Sequence, residues 1–425
     1  MVIAAISFVV LLLLGIPVAF VLGISSVVYM LAIENTALFA SIPQRMFSGV
    51  QNYGLLAIPL FVLVGELMNS GGITDRLVRF ASVVLGHLRG GLAYVNVVAN
   101  MFLASIMGSA NAQTAMMSRV MVPAMEKEGY KKEFSTALTA SSALIGPIIP
   151  PSLPFIIYGV TAEVSIAGMF LGGIIPGILL GLAFALLIYW MSLRQNFPTS
   201  DRSSAREIVR AFLSVIPALL VPVVILAGIL SGAFTATESA AVACLIAIVV
   251  GAFFYRELKW KDIPQMLIST AINSAIVTFL VATASVFGWV LAFERIPQLI
   301  ADWLISISES PYVFLILINI LFLFLGMVIE GIAAMIILVP VLMPVVHSYG
   351  IDPIHFGIII CINLTIGLIT PPVGTAMFIA SSITKVKMEV LVRAMLPFLA
   401  VAIVVLLLVT YIPWLTTWIP GMANF

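Results

Sequence analysis

The feature that most limits how this chain can fold is a series of apolar runs long enough to cross a lipid bilayer. A membrane-spanning helix needs roughly 20 consecutive apolar residues, and runs near or above that length cover residues 166–191, 212–231, 237–255 and 394–412. Of the 425 residues, 62% are hydrophobic and 9% are charged, too few charges to solvate a soluble protein of this size. The sequence therefore predicts an all-α polytopic membrane protein that lies in the lipid bilayer.

The positions of lysine and arginine predict how these segments are oriented, because basic residues collect in the cytoplasmic loops of membrane proteins. They cluster near residues 76–89, 127–132, 194–210 and 256–261, with a smaller set at 385–393. Placing every cluster on the cytoplasmic side gives the two halves of the chain opposite topologies. The sequence thus predicts an inverted repeat, with halves at residues 1–193 and 212–425 and a cytoplasmic linker at 194–211.

Each half contains an apolar run that begins and ends on the same side of the membrane. The first, at 91–125, lies between two basic clusters, and the second, at 311–346, is bracketed by stretches without lysine or arginine. Both are predicted to be re-entrant helical hairpins. Each is followed by an apolar segment with an internal Pro-Pro pair, at 134–160 and 354–380, which we predict to be a discontinuous helix. The N-terminus is predicted to be a retained helix, because the first basic residue is Arg45 and a signal peptide needs a positive start.

The two Pro-Pro segments match at a fixed spacing. The stretches GPIIPPS and GLITPPVG begin at Gly146 and Gly367, 221 positions apart, and the same spacing also aligns two pairs outside these motifs, Pro123 with Pro344 and Gly129 with Gly350. Matching glycine and proline positions indicate matching backbone conformations. This repetition is the strongest evidence in the sequence for two related halves.

A Pro-Pro pair after a glycine interrupts a helix and leaves backbone carbonyl groups without partners. In hydrocarbon such groups persist only where protein, water or a cation satisfies them, and broken helices in transporters bind ions near the bilayer midplane. The first break has Ser152 close by and faces the tip that carries Ser109 and Asn111; the second contains Thr370 and faces the tip MVIEGIAAM. Neutral oxygens suit a monovalent cation, so a sodium site is predicted at each break. The alternative is that the prolines only kink the helices for packing.

Several single residues have both a functional and a structural interpretation. Glu330, inside an apolar run, is a functional candidate that would ligate sodium, orient the tip or carry a proton, or else cap the tip amides. Glu238 follows Thr235 in a capping pattern. Arg119 would either attract an anion or extend to the cytoplasmic interface.

The sequence contains no pattern that predicts a histidine or cysteine metal site, an enzyme or a nucleic-acid-binding protein. The histidines, His87, His347 and His355, have no metal-ligand spacing and are predicted to lie at the surface, and Cys244 and Cys361 are predicted to be buried packing residues. No Walker A loop or hydrolase motif occurs, so an enzyme is not predicted and no organic cofactor is expected. A net charge of +1 without a basic stripe gives no reason to expect nucleic acid.

At the motifs MGSANAQTA, IGPIIPPS, TATESAA, YGIDPIHFG and NLTIGLITPPVG, the chain resembles the large membrane subunit of tripartite ATP-independent periplasmic (TRAP) transporters. The resemblance covers the full length of the chain. Within the family, the overall sequence is most similar to the sialic acid branch. It implies an elevator-type fold in a bacterial inner membrane. It also implies sodium-coupled import of an organic acid, sialic acid or another carboxylate, which a periplasmic substrate-binding protein delivers. A separate small four-helix membrane subunit is the expected partner.

The resemblance also implies which residues bind sodium. One site would hold Ser109, Asn111, Gly146, Ile149 and Pro151. The other would hold Gly331, Gly367, Thr370 and Pro372, while Glu330 and Ser152 are candidates for coupling or substrate contact. The nearest alternative function is a single-component sodium/dicarboxylate symporter, which shares the hairpins and broken helices but needs no binding protein.

Overall fold

A computed structural model of the chain describes residues 2–34, 36–194, 197–199 and 202–423. Over those residues the fold is helical without a β-strand, and eight helices are long and apolar enough to cross a membrane. The predicted all-α polytopic fold class is therefore confirmed. Part of the predicted linker at 194–211, namely residues 195–196 and 200–201, lies outside the described residues.

Ten α-helices are present among the described residues of the first half. They are α1 (Val2–Leu13), α2 (Val18–Ala32), α3 (Ser41–Val50), α4 (Ala57–Ser70), α5 (Ile73–Leu85), α6 (Gly91–Met107), α7 (Ala110–Lys127), α8 (Lys132–Ser142), α9 (Leu153–Thr161) and α10 (Ile166–Arg194). The predicted N-terminal helix is two helices, because the chain turns at Gly15, whose φ of 75° lies in the left-handed region.

The described residues of the second half also form ten α-helices. They are α11 (Ala205–Leu230), α12 (Ala236–Val249), α13 (Ile263–Phe293), α14 (Ile296–Ile307), α15 (Pro311–Val328), α16 (Gly331–Ser348), α17 (Pro353–Gly367), α18 (Thr375–Thr384), α19 (Met388–Tyr411) and α20 (Trp414–Met422). A π-helical turn, Val250–Phe254, extends α12.

Both predicted hairpins are present as pairs of helices. In the first hairpin, α6 and α7 are joined by Gly108, which has a left-handed φ of 55°, and by Ser109, whose hydroxyl caps α7 by accepting a bond from the Ala112 amide. In the second hairpin, α15 and α16 are joined by Ile329 and Glu330. The chain therefore reverses at the two tips that the sequence predicts.

Both predicted helix breaks are also present. The first separates α8 and a 3-10 turn, Ala143–Ile145, from α9, and the second separates α17 from α18. Each break contains a cis Pro-Pro peptide bond, Pro150–Pro151 in the first and Pro371–Pro372 in the second.

The broken helices form the centre of the molecule. Every residue of α17 from Ile354 to Gly367 is buried, and α8 is buried from Phe134 to Ser142. The hairpin helix α7 packs on α8, and α15 packs along α17. The helix α18 from the second half also packs on α7 from the first, while α4 packs against α12 and α13 at one side of this core. The two halves are therefore interlocked.

One histidine prediction is wrong. His355 lies near the start of α17 and is 2% exposed, with its Nδ1 atom 2.8 Å from the Thr416 hydroxyl and its Nε2 atom 3.2 Å from the Thr410 carbonyl. It is buried because Asp352 caps α17 and this helix enters the core from its first turn. Both cysteines are buried and free, as predicted.

Candidate functional site

A cavity of about 510 Å³ lies where both hairpin tips, the first break and the end of α17 meet α4 and α13. Tip residues from Gly108 to Ala112 and from Glu330 to Ile332 line one side, and Glu66, Asn69 and Asn273 line the other. Elements distant in sequence therefore surround one space. A partly apolar cavity with a few polar groups is the usual form of a small-molecule site.

The first break is closed within the protein. Gly146, Pro151 and Ser152 are buried, and the Ser152 hydroxyl donates a hydrogen bond to the Pro147 carbonyl. One carbonyl freed by the interruption is therefore satisfied inside the break. Ile149 packs directly on Gly177 of α10, and a Cβ atom built on Gly177 would overlap the Ile149 side chain.

At the first tip, the Ser109 and Asn111 side chains make hydrogen bonds within the protein. The Ser109 hydroxyl is 3.4 Å from the Ala112 amide that it caps. The Thr375 hydroxyl donates to the Asn111 Oδ1 atom over 3.1 Å, and Thr375 begins α18 just after the second break. Asn111 thus links the first hairpin to the second broken helix, a contact that the sequence did not predict.

The second break is held by backbone contacts. The Leu368 carbonyl accepts bonds from the Ala376 amide at 3.0 Å and the Met377 amide at 3.4 Å, which bridge the interruption. The Thr370 hydroxyl donates to the Ile366 carbonyl over 2.8 Å. Unlike Pro151 in the first break, Pro372 is exposed. The two breaks thus match in sequence and differ in burial.

The second hairpin is seated on the end of α17. A Cβ atom built on Gly331 would lie 3.3 Å from the Leu364 Cβ atom, so the N-terminus of α16 rests on that side chain. Glu330 precedes α16 but makes no side-chain cap bond to its amides, so the capping role considered for it is wrong. Its carboxylate is exposed and lines the cavity.

Glu66, the second carboxyl group of the cavity, was not among the candidates predicted from the sequence. It lies on α4, and the Ser269 hydroxyl of α13 donates to its Oε1 atom over 2.6 Å. The signal was present, since an acidic residue inside an apolar run is a functional candidate by default. No lysine or arginine is among the cavity-lining residues that the structure describes, and the exposed Arg119 is not among them. The cavity is therefore lined by two carboxyl groups, with no basic side chain among its described residues.

The capping prediction for Glu238 is confirmed. Its carboxylate accepts a bond from the Thr235 amide over 2.8 Å, and the Thr235 hydroxyl accepts one from the Glu238 amide over 3.3 Å. This reciprocal pair starts α12, away from the residues that line the cavity.

The polar groups at the two breaks are mainly neutral oxygen atoms. Within the described part of the chain, no three His, Cys, Asp or Glu residues are arranged to hold a metal. The available ligands are backbone carbonyls, hydroxyls and amide oxygens, which are the groups that bind sodium at broken helices.

Comparison with known proteins decides the family. The model of the family "Tripartite ATP-independent periplasmic transporter, DctM component" matches residues 5–415. The chain belongs to this family. It is therefore a TRAP large permease component, a multi-pass protein of the bacterial inner membrane and a transport protein rather than an enzyme.

Two relatives and one solved structure show the extent of the similarity. The sialic acid TRAP transporter large permease protein SiaM of Vibrio cholerae is 39% identical over 409 residues, covering 96% of this chain and 95% of that protein. The isethionate TRAP transporter permease protein DctMQ of Oleidesulfovibrio alaskensis is 37% identical over 411 residues, covering 96% and 65%. The crystal structure of the Alcanivorax borkumensis YdaH transporter aligns with a TM-score of 0.61 at 18% identity, covering 91% and 88%, and so shares the fold.

Proposed function

We propose that this TRAP permease imports an organic acid together with sodium ions, and that a periplasmic binding protein delivers the acid. The observation that carries the proposal is the cavity itself, which is bounded by both hairpin tips and lined by Glu66 and Glu330 without a basic side chain among its described residues. Such a cavity repels an organic anion. Cations bound at the neighbouring breaks would remove that repulsion, because opposite charges close together attract strongly where water is scarce.

The first sodium ion would bind at the break around Gly146, Ile149 and Pro151, with Ser109 and Asn111 from the hairpin tip. The second would bind at Gly331, Gly367, Thr370 and Pro372. Support comes from the repetition of a helix break beside a hairpin tip, since interrupted helices are where transporters of this kind bind their coupling ions. Because Asn111 is bonded to Thr375, an ion at the first site would be coupled to the start of α18.

The transport step we propose is an elevator movement of the hairpins and broken helices against α4, α13 and their neighbours. Support comes from the position of the cavity between these two groups of helices. The halves 1–193 and 212–425 would have opposite orientations, as the distribution of basic residues predicts. A small membrane subunit would also take part in the complex, and support comes from the DctMQ relative, of whose length the match covers 65%.

The substrate we propose is a carboxylate or a related organic acid, with sialic acid as the first candidate because of the similarity to SiaM. The isethionate relative is nearly as similar, so the assay should include several acids. If two sodium ions enter with one monoanion, one net positive charge moves inward and gains about 2.3 kcal/mol for each 100 mV.

Uptake into proteoliposomes tests the proposal. The chain would be reconstituted with its small subunit, and a radiolabelled acid supplied with the cognate binding protein, under clamped sodium gradients and membrane potentials. We expect uptake to require an inward sodium gradient and the binding protein, and to rise with an inside-negative potential. Uptake that is indifferent to sodium would contradict the proposal. Uptake that needs no binding protein would favour a single-component symporter.

A further inference from the structure

The first hairpin contains a continuous chain of buried amide side chains. Asn96 and Asn100 on α6 and Gln113 on α7 are all fully buried, as is Thr139 on α8. The Gln113 Nε2 atom donates to the Asn100 Oδ1 atom over 2.7 Å, and the Asn100 Nδ2 atom donates to the Asn96 Oδ1 atom over 2.8 Å. The Asn96 Nδ2 atom then donates to the Thr139 hydroxyl over 2.6 Å. Every donor in the chain points toward α8.

Backbone carbonyls fix the orientation of these amides. The Gln113 Nε2 atom also donates to the Asn100 carbonyl over 2.8 Å, and the Asn100 Nδ2 atom also donates to the Asn96 carbonyl over 2.8 Å. Rotating either amide by half a turn would place its oxygen against two acceptors. The surrounding network thus assigns the nitrogen and the oxygen of each amide, and the Gln113 Oε1 atom must point away from the chain.

That oxygen is directed at the first helix break. A Cβ atom on Gly146 would overlap the Gln113 Oε1 atom, so the two residues are in direct contact. The Oε1 atom is buried and has no hydrogen-bond partner among the described residues. The Gly146 amide donates instead to the Ala143 carbonyl over 3.1 Å, and residue 147 is a proline without an amide hydrogen. A buried acceptor with no protein donor requires a partner of another kind.

We propose that the Gln113 Oε1 atom is a ligand of the sodium ion at the first break, and that Asn96 and Asn100 are positioning residues that hold it there. This inference rests on the sodium coupling proposed above. A neutral amide oxygen matches the hydroxyls and carbonyls of that break in chemistry. Each hydrogen bond in the chain also shifts electron density from its acceptor to its donor amide, and so toward the Gln113 Oε1 atom, and such chains strengthen cooperatively.

Sodium titration of thermal stability tests this assignment in the purified complex. Sodium chloride would replace choline chloride at constant ionic strength, and the sodium-dependent rise in Tm would be measured for wild type and Gln113→Met. Methionine has a similar size but no oxygen. We expect one sodium-binding phase to weaken at least tenfold in the variant, while a phase from the second break remains. The sodium dependence of uptake should shift by a similar factor.

A matched control is Thr139→Val, which removes only the last acceptor of the chain and leaves the bonds from Gln113 and Asn100 to backbone carbonyls that fix the Gln113 oxygen. It should lower Tm but leave the sodium affinity within about threefold of wild type, because no ion ligand is lost. If Gln113→Met does not fold, Gln113→Asn serves instead, since it stays polar but withdraws the oxygen by one methylene.

Three outcomes are distinguishable. A wild-type complex whose Tm ignores sodium would overturn the proposed coupling itself. If the Tm of the wild type responds to sodium but both Gln113 variants have the same sodium affinity as Thr139→Val, only this inference is overturned. Water would then be the partner of the Gln113 oxygen. A selective loss of one sodium phase in the Gln113 variants would support it.

Discussion

Gly326 of α15 and Gly367 at the end of α17 are in backbone contact: a Cβ atom built on Gly367 would lie 2.5 Å from the Gly326 carbonyl carbon. The second hairpin therefore meets the broken helix directly beside the interruption. No side chain fits between them, which explains a glycine in the last turn before this break in physical terms.

The first prediction follows from this contact. Gly367→Ala should destabilise the protein by about 1–3 kcal/mol, because the added methyl group forces two backbones apart, and uptake should fall sharply. Thermal unfolding in detergent and transport in proteoliposomes measure both effects. Gly288→Ala on α13 is the control, since a Cβ atom there meets nothing within 4 Å. Equal Tm values for the two variants would contradict the predicted close packing.

The second prediction concerns a buried amide pair in the second half. The Asn363 Nδ2 atom of α17 donates to the Asn319 Oδ1 atom of α15 over 2.6 Å, and the Asn319 Nδ2 atom donates to the Thr410 hydroxyl over 3.1 Å. Replacing either asparagine by leucine strands a buried amide and should cost about 1–3 kcal/mol.

A double-mutant cycle separates the pair from its surroundings. The variant with both asparagines replaced by leucine should lose less stability than the sum of the two single variants, because neither partner is left unpaired. Additive losses would show that each amide is stabilised by its other contacts, the Ile359 carbonyl in the case of Asn363.

The third prediction tests the buried histidine. His355→Leu removes the ring nitrogens that contact the Thr416 hydroxyl and the Thr410 carbonyl, and so loosens the attachment of α20 to α17. We expect a loss of about 1–3 kcal/mol and faster proteolysis of the C-terminal segment after Tyr411. His347→Leu is the control, because His347 is exposed. Equal proteolysis rates in the two variants would exclude this tether.

The fourth prediction concerns the charge of the cavity. Glu66→Gln keeps an acceptor for the Ser269 hydroxyl but removes one negative charge, so the Tm should change little. The KM for an anionic substrate should fall by roughly threefold to tenfold, because like-charge repulsion is reduced. Glu66→Leu, which loses the acceptor as well, should lower the Tm. A higher KM in Glu66→Gln would mean that the carboxylate binds the substrate directly.

Features that depend on local chemistry were predictable from the sequence. Pro-Pro after glycine breaks a helix wherever it occurs, so the interruptions at Pro150 and Pro371 were located correctly, and the capping box at Thr235 needs only the spacing of two residues. The tips were located because small and polar residues interrupt long apolar runs.

Features that depend on distant neighbours were not predictable in the same way. His355 lies shortly after Asp352 and Pro353, a pattern typical of a surface loop. Its ring nitrogens find partners inside the protein only because Thr410 and Thr416, which are distant in sequence, pack against it. Asn96 and Asn100 are four residues apart and so share one face of α6, but Gln113 lies on α7, and its bond to Asn100 depends on how these two helices pack.

The bond from Thr375 to Asn111 has a consequence for protein engineering. It joins residues 264 positions apart, one from each half of the chain, beside the cavity that both halves line. Neither half is then a self-contained module, and a chimaera that takes one half from a relative would need matching residues on both sides of this seam. A substitution at this seam in one half therefore limits which residues the other half can carry there.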